Sequence, residues 1–191
     1  MPSTSRPLRP SSKFKVIGSR NVIDKPTFVF REDEIELHNG RRMKFYVTHS
    51  RDWAGMVGFT PKKEIVLIQQ HRHAVQRMQW ELPAGIMNTN ETPQAAAVRE
   101  FREETGYEIT NVKSLGEFYP SSGRSSTKMH LFCGEVQGKV GEQQLDECEE
   151  IDVHVIPIKK VLEMIKTNEI DCGHSAFSIL LAKEKFPKYF E

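Results

Sequence analysis

A predicted helix at residues 94–105 constrains the fold of this chain more than any other segment, because it is uninterrupted and marked at both ends. The segment contains good helix formers and neither Gly nor Pro. Its flanking residues have known terminal preferences: Thr92 as N-cap, Pro93 at the first helical position and Gly106 as the left-handed residue after the end. The rest of the chain is therefore expected to be organised around this helix.

Three carboxylates share one face of the helix, since Glu100, Glu103 and Glu104 stand at positions i, i+3 and i+4. Like charges this close repel one another unless a positive charge lies among them. Arg99 and Arg102 supply part of that charge, which is typical of a salt-bridged surface helix. The alternative is a cation bound on this face, and the spacing alone leaves both interpretations open.

The residues before the helix favour the cation. Residues 81–85 are typical of a short strand that stops at a turn, which places backbone carbonyl groups near the carboxylates. Carboxylate and carbonyl oxygens are the ligands of hard cations such as Mg²⁺. This part of the chain therefore predicts a magnesium site, with Mn²⁺ as the alternative ion.

Residues 85–107 resemble the Nudix box, the pattern G-x5-E-x7-R-E-U-x-E-E-x-G-U, in which U is an aliphatic or aromatic residue. The resemblance covers every defined position: Gly85, Glu91, Arg99, Glu100, Phe101, Glu103, Glu104, Gly106 and Tyr107. It implies the Nudix fold, an α+β fold with a mixed sheet sandwiched by helices. It also implies a metal-dependent hydrolase of a diphosphate linkage.

The order of the other predicted elements indicates the same α+β class. Strands are expected at 27–30, 34–37, 43–48, 55–59, 64–70, 115–119, 129–136 and 151–156, and further helices after Pro157 and at 175–185. The apolar run at 65–68 does not alternate, which predicts a strand buried on both faces. A charged turn is expected between the first two strands, and a linker leads to Trp80.

Three parts of the chain are expected. Residues 1–15 are basic and rich in Ser and Pro, which predicts a flexible lead-in. Residues 16–50 contain the Asn39-Gly40 hairpin signal and predict a small antiparallel sheet. Residues 51–191 form the Nudix domain.

Charge and cysteine usage limit the partners. Lys and Arg total 27 against 26 Asp and Glu, so a net charge of +1 provides no general attraction for nucleic acid. Cys133, Cys148 and Cys172 lack metal-type spacing and are interpreted as reduced thiols, and His71, His73 and His174 as structural residues. No apolar run approaches the roughly 20 residues of a membrane span. The expected location is cytoplasmic.

Four further stretches resemble the branch of the family that hydrolyses ADP-ribose and other nucleoside diphosphate sugars: IVLIQQHR, WELPAG, EFYPSSG and ECEEIDVHVI. With the N-terminal strands, they cover most of residues 27–182. The resemblance implies cleavage of the pyrophosphate to a nucleoside monophosphate and a sugar phosphate. It also implies an intertwined homodimer in which the N-terminal sheet, residues 16–50, reaches over the partner's site.

The same resemblance implies roles for the box residues. The metal ligands would be the carboxylates of Glu100 and Glu104 with the carbonyl of Ala84. Glu103 would be a third acid, as a ligand or a partner of the ligands, and Arg99 would orient the carboxylates. Gly85 allows close approach of the loop backbone, and Glu91 is interpreted as structural.

The acidic segment at residues 147–150, just before the strand expected at 151–156, carries the remaining chemistry that the resemblance to this branch implies. Glu147 matches the position of the general base, and Glu149 that of an additional metal ligand. The alternative is an acidic loop that is merely solvated.

Seven residues are assigned to the substrate: Phe28, Arg51, Arg72, Ile86, Ser122, Arg124 and Thr127. Arg51 and Arg72 suit phosphate oxygens, with ordinary surface charges as the alternative. Phe28 could stack on a nucleobase, with a place in the core as the alternative.

The loop after Pro120 departs from the ADP-ribose enzymes, which often carry an acid where this chain has Thr127. An acid there would disfavour acidic or phosphorylated sugars, whereas Arg124 would tolerate them. The departure favours a broader range of nucleoside diphosphate sugars over strict ADP-ribose specificity.

Two other functions remain open. One is a non-catalytic Nudix domain that senses a ligand, although such domains usually lose box carboxylates and this chain keeps them all. The other is hydrolysis of a different nucleoside diphosphate derivative, such as a capped RNA end. The near-neutral charge argues against long RNA, because that affinity depends on phosphate neutralisation.

Overall fold

The structure, a computed structural model, describes residues 14–139, 141–146 and 149–191. The chain divides into two compact units, one with residues 14–50 and 121–126 and the other with the described parts of 51–120 and 127–191. Residues 1–13 of the lead-in expected at 1–15 lie outside the described residues, and so does the expected base Glu147. None of the described helices combines the length and hydropathy needed to cross a membrane.

The N-terminal unit is a three-stranded antiparallel sheet in the order β1-β2-β3. Its strands are β1 Phe14–Lys25, β2 Phe28–Leu37 and β3 Arg42–Ser50. The turn after β2 contains Gly40 at φ 77°, as the hairpin signal predicts. Strand β1 is not predicted, because two register shifts interrupt its pattern.

The expected charged turn between 30 and 34 is wrong, because β2 runs through it without a break. The charges there are neutralised within the sheet. Arg31 donates to Asp33 at 2.8 Å, and Glu32 pairs with Arg20 on β1 and Lys44 on β3, both at 3.0 Å. Opposite charges on neighbouring strands stabilise a sheet, so this charged run remains extended.

The second unit is a mixed sheet with helices on both faces, which confirms the expected α+β class. Its strands are β4 Trp53–Phe59, β5 Glu64–Arg72, β6 Arg77–Glu81, β7 Ala84–Ile86, β8 Tyr107–Phe118, β9 Met129–Lys139 and β10 Ile151–Pro157. Its helices are α1 Pro93–Thr105, α2 Ile158–Lys166 and α3 Gly173–Lys185, followed by a 3₁₀ turn at Pro187–Tyr189. The main strand order is β10-β5-β4-β9-β8, and only β4 and β9 are parallel.

The sheet divides into two branches ahead of the box helix. Strands β4 and β5 pair only at Gly58–Val66 and Phe59–Ile65. Beyond that point β6 extends the β5 branch and β7 extends the β4 branch, and residues 82–83 cross between them. We call this feature the sheet fork. It corrects the expected linker before Trp80, because β6 occupies that segment.

Both faces of the sheet are covered, as the run at 65–68 predicts. Ile65 and Leu67 pack in a core under α2 and α3, and Val66 packs in a second core under α1. All residues of the run are 0% exposed. Burial on both faces fixes the position of β5 and, through it, of the sheet fork.

Helix α1 begins and ends as expected. Thr92 Oγ1 accepts a hydrogen bond from the Ala95 amide at 3.2 Å, and Pro93 is the first helical residue. Gly106 follows the helix at φ 72° and its amide donates to the Arg102 carbonyl at 2.8 Å. The caps fix which turn of the helix carries the carboxylates.

Replacing Gly58 with alanine is expected to lower the free energy of unfolding by about 1–3 kcal/mol, because overpacking a core forces its rings out of place. A Cβ at this position would lie 2.5 Å from the Phe101 ring and 3.0 Å from Val136 Cγ2. Urea denaturation measures the change. Gly18→Ala is the control, since its nearest atom is Glu34 Cβ at 3.9 Å. Equal midpoints for the two variants would contradict this packing.

Candidate active site

The loop after the sheet fork lies directly against the box helix. A Cβ built on Gly85 would lie 2.2 Å from Glu100 Cδ, so only glycine admits the carboxylate at this distance. The neighbouring Ala84 amide donates to Glu104 Oε2 at 2.9 Å. The loop and the helix carboxylates therefore form one connected structure.

Glu104 is a buried carboxylate, with 2% of its surface exposed. Burial is the main cause that raises the pKa of Glu104 well above its usual value, and the negative charge of Glu100 adds to it. The amide of Ala84 and the charge of Arg72 act in the opposite direction. A carboxylate in these surroundings is stabilised by any cation that reaches it.

Arg99 holds the other acids of the helix. Its Nε and Nη2 donate to the two oxygens of Glu91, both at 2.9 Å. Its Nη1 donates to Glu100 at 2.7 Å and to Glu103 at 2.8 Å. Glu91 is the largest cause that raises the pKa of the guanidinium. Arg99 thus orients the carboxylates, and Glu91 anchors Arg99.

The segment before β10, which we call the late loop and of which residues 141–146 and 149–150 are described, contributes a further acid. The charge of Glu149 raises the pKa of both Glu100 and Glu104, which places it within electrostatic reach. Its own Oε2 accepts from the Asp146 amide at 3.0 Å. Gln143 fastens the loop by donating to the carbonyls of Glu104 at 2.7 Å and Ile151 at 3.0 Å.

The residues assigned to a metal provide oxygen donors, which suit a hard divalent cation. The buried Glu104 carboxylate between like charges shows that the location favours positive charge. Glu100 and Glu104 flank the Ala84–Gly85 loop, and the negative charge of Glu149 acts on both. Among the described residues, these acids do not gather three donor atoms within 4.8 Å of one another.

Arg72 is bound to a carboxylate that the sequence analysis does not single out. Its Nε and Nη2 donate to the two oxygens of Glu81 at 2.8 and 2.7 Å. Glu81 is 2% exposed and ends β6, immediately before the sheet fork crossing. The sequence signal that could have identified Glu81 is its place in the stretch WELPAG. The assignment of Arg72 to substrate phosphates stays a prediction, and Glu81 fixes the plane of its guanidinium.

Three other assigned residues belong to the same unit. Arg51 is exposed just before β4, and Thr127 is 5% exposed. Ile86 is 42% exposed at the end of β7, and its carbonyl accepts from Arg99 Nη2 at 3.2 Å. Ile86 thus directly contacts the box helix.

The remaining assigned residues belong to the N-terminal unit. Phe28 is the first residue of β2 and is 41% exposed. The alternative prediction, that Phe28 belongs to the core, is therefore wrong. Arg124 lies over the Phe45 ring, with 5.1 Å between Cζ and the ring centroid. Ser122 is exposed in the same loop. The substrate roles of these three residues stay predictions.

A cavity of about 1140 Å³ lies between α1 and strands β8 and β9. Its lining includes Arg99, Arg102, Glu103, His130 and Phe132. Ligand pockets typically occupy about 300–1,000 Å³, so this cavity accommodates a nucleotide-sized molecule beside the carboxylates.

Comparisons with known proteins agree with this fold. A family model described as NUDIX domain matches residues 49–172. An ADP-ribose pyrophosphatase of Bacillus subtilis is 26% identical over 166 residues, covering 86% of this chain and 90% of that protein. A GDP-mannose pyrophosphatase of Escherichia coli is 36% identical over 126 residues, covering 60% of this chain and 63% of that protein. A solved structure titled as an ADP compounds hydrolase has the same fold, with a TM-score of 0.79 and 16% identity over 92% of this chain and 95% of that chain.

Proposed function

The chain belongs to the Nudix family, and we propose that it hydrolyses the pyrophosphate bond of ADP-ribose and related nucleoside diphosphate sugars. The products would be a nucleoside monophosphate and a sugar phosphate. The observation that carries the proposal is the contact of Glu100 and Glu104 with the Ala84–Gly85 loop, within electrostatic reach of Glu149. The relatives named for ADP-ribose and GDP-mannose support this substrate class.

The carboxylates by themselves would repel a dianionic pyrophosphate, so the reaction needs positive charge between them. We propose Mg²⁺, held by Glu100, Glu104, Glu149 and the carbonyl of Ala84, with Mn²⁺ as a substitute. When bound, the ion supplies charge neutralisation and lowers the pKa of a water molecule. Arg99 keeps Glu100 and Glu103 oriented before the substrate arrives.

Phosphate recognition is proposed for Arg51 and Arg72. A guanidinium held in one plane by Glu81 presents its other donors in a fixed direction. The loop residues Ser122, Arg124 and Thr127 are proposed to discriminate the sugar. Without an acid at Thr127, a broader range than ADP-ribose alone is expected.

The late-loop acids are proposed to differ in role, with Glu147 removing a proton and Glu149 binding metal. Glu149→Gln is therefore expected to raise the Mg²⁺ concentration for half-maximal activity by about 10-fold or more. Loss of a residue that only supports a metal ligand lowers metal affinity by about that factor, and loss of a ligand itself should lower it at least as much. Excess Mg²⁺ should restore its turnover. Glu147→Gln should lose activity that added Mg²⁺ does not restore. Turnover against Mg²⁺ concentration separates the two, and rescue of Glu147→Gln alone would reverse the roles.

The proposed activity is tested with a panel of nucleoside diphosphate sugars, including ADP-ribose and GDP-mannose, in the presence of Mg²⁺. A coupled phosphatase releases phosphate from the two products and leaves the intact pyrophosphate diester unchanged. We expect phosphate release that requires both the divalent ion and the enzyme. Tight binding of these substrates without hydrolysis would instead indicate a ligand-sensing domain.

A homodimer is proposed on the basis of the N-terminal sheet, which exposes apolar side chains and is small for an independent fold. Its exposed apolar residues are Phe14, Val16, Val22, Ile23, Phe28, Met43 and Tyr46. Light scattering at micromolar concentration should give twice the mass of the chain. Val16→Lys should weaken the dimer, whereas Leu180→Lys on the exposed side of α3 should not. A fully active monomer would contradict the proposal.

A cytoplasmic location is also proposed. The two described cysteines, Cys133 and Cys172, are buried and free, as is usual where thiols stay reduced. The net charge of +1 gives no reason to propose nucleic acid as a partner.

A further inference from the structure

A second cluster of metal-binding side chains lies behind the sheet fork, separate from the box carboxylates. Glu81 ends β6, Cys172 precedes α3, and His174 lies in the first turn of α3. Donor atoms of the three residues all lie within 4.8 Å of one another, and among the described residues they form the one such set. Glu81 is 2% and Cys172 7% exposed.

The three donors converge on a common point. His174 Nε2 lies 3.4 Å from Cys172 Sγ and 3.8 Å from Glu81 Oε2. A tetrahedral Zn²⁺ with ordinary bond lengths separates its S, N and O ligands by about 3.3–3.6 Å. These two separations are thus within a few tenths of an ångström of those in a zinc site, and the sulfur and the carboxylate oxygen lie within 4.8 Å of each other.

Both nitrogens of the His174 ring lie close to the thiol, with Nδ1 at 3.2 Å and Nε2 at 3.4 Å from Cys172 Sγ. Nε2 also lies 3.8 Å from Glu81 Oε2. Nε2 is therefore the nitrogen within reach of both partners, and it is the one assigned as a ligand.

Neighbouring groups hold each donor in place. Arg72 donates to both oxygens of Glu81, which leaves each oxygen a second lone pair. The edge of Trp53 contacts the His174 ring, with 4.8 Å between ring centroids. Ser175 Oγ donates to Cys172 Sγ at 3.4 Å and accepts from the Leu82 amide at 2.9 Å. Metal ligands are commonly oriented by such partners.

A fourth coordination position is available. A cavity of about 380 Å³ opens onto all three residues and onto Arg72 and Gln79. It has room for water as the remaining ligand. Three protein ligands with one open position are typical of an accessible zinc centre.

From these observations we infer that Glu81, Cys172 and His174 form a binding site for Zn²⁺ or a similar transition-metal cation. The sulfur and nitrogen donors disfavour Mg²⁺, which requires octahedral oxygen ligands. Binding replaces the thiol proton of Cys172, which passes to solvent. The bound ion would join the start of α3 to the end of β6. The crossing at Leu82–Pro83 follows β6 directly and leads to the Ala84–Gly85 loop.

The test is a titration of Co²⁺, a spectroscopic substitute for Zn²⁺, into the reduced full-length protein with Mg²⁺ in large excess. Mg²⁺ occupies the carboxylate site, so the readout is independent of activity and of the proposed function. We expect one Co²⁺ per chain with thiolate-to-metal charge-transfer absorption in the near ultraviolet. Zn²⁺ should displace the Co²⁺ and raise the melting temperature.

Variants decide which residues bind. Cys172→Ser should abolish the charge-transfer absorption, whereas Cys133→Ser, the same change in a thiol on β9, should retain it. His174→Gln should weaken Co²⁺ binding at least about 10-fold, because even the loss of a residue that only supports a metal ligand lowers metal affinity by that factor. His38→Gln, an exposed turn residue, is its control. Absent absorption in the folded protein, absorption that persists in Cys172→Ser, or loss of binding as Mg²⁺ increases would each overturn the inference.

Discussion

Glu104→Gln is expected to lower turnover by about 10²- to 10³-fold, the range for loss of a strong electrostatic stabiliser. Glu104 is buried, contacts the Ala84 amide and faces the charges of Glu100 and Glu149. Glutamine keeps the shape but lacks the charge that would hold a divalent ion. The measurement is kcat at saturating Mg²⁺ with ADP-ribose as substrate.

The same variant should be at least as stable as the original protein when metal is removed with a chelator. Burial and repulsion disfavour the charged form of Glu104, and a neutral side chain removes both costs. Glu184→Gln, an equal change of charge on the exposed side of α3, should alter neither kcat nor melting temperature. Near-normal turnover of Glu104→Gln at saturating Mg²⁺ would exclude Glu104 as a metal ligand.

Gly85→Ala is expected to lower turnover about 10²-fold, since misplacing a catalytic group by about 1 Å has an effect of that size. The new Cβ would lie 2.2 Å from Glu100 Cδ and 2.3 Å from its Oε2. The carboxylate must therefore move, and with it the bond to Arg99. Steady-state kinetics over a range of Mg²⁺ concentrations measures the loss.

Stability should respond differently from turnover in this variant. The displaced atoms form the end of a flexible side chain, so the melting temperature should change little. Gly58→Ala should show the opposite pattern, because its Cβ meets the Phe101 ring inside the core. Gly18→Ala serves as the common control. Turnover and Mg²⁺ dependence of Gly85→Ala equal to those of the original protein would contradict the close packing of this loop.

The elements that the sequence predicts well are those with local signals. The caps Thr92 and Gly106 mark the ends of α1, and the unbroken apolar run at 65–68 identifies a strand buried on both faces. The spacing of the box carboxylates is likewise local, since one helix sets it. These features depend on residues a few positions apart, which the sequence displays directly.

Features that depend on distant residues are not predicted. Strand β6 forms because its partner β5 is present, and β2 crosses a charged run because Arg20 and Lys44 lie on the neighbouring strands. Cys172 precedes α3 and His174 lies within it, and the two lack metal-type spacing along the chain. The sequence therefore favours a reduced thiol and a structural histidine. The fold brings them to Glu81, as the hydrogen bond between Leu82 and Ser175, 93 positions apart, shows.

The contacts of Arg99 have a consequence for when the cation enters the protein. One side chain gives hydrogen bonds to Glu91, Glu100 and Glu103. The acidic helix therefore has an internal counter-charge from the moment the chain folds. Newly synthesised protein can therefore fold before it binds a divalent cation, and the cation can exchange afterwards without unfolding the polypeptide. The supply of that cation would then set the active fraction of these molecules reversibly.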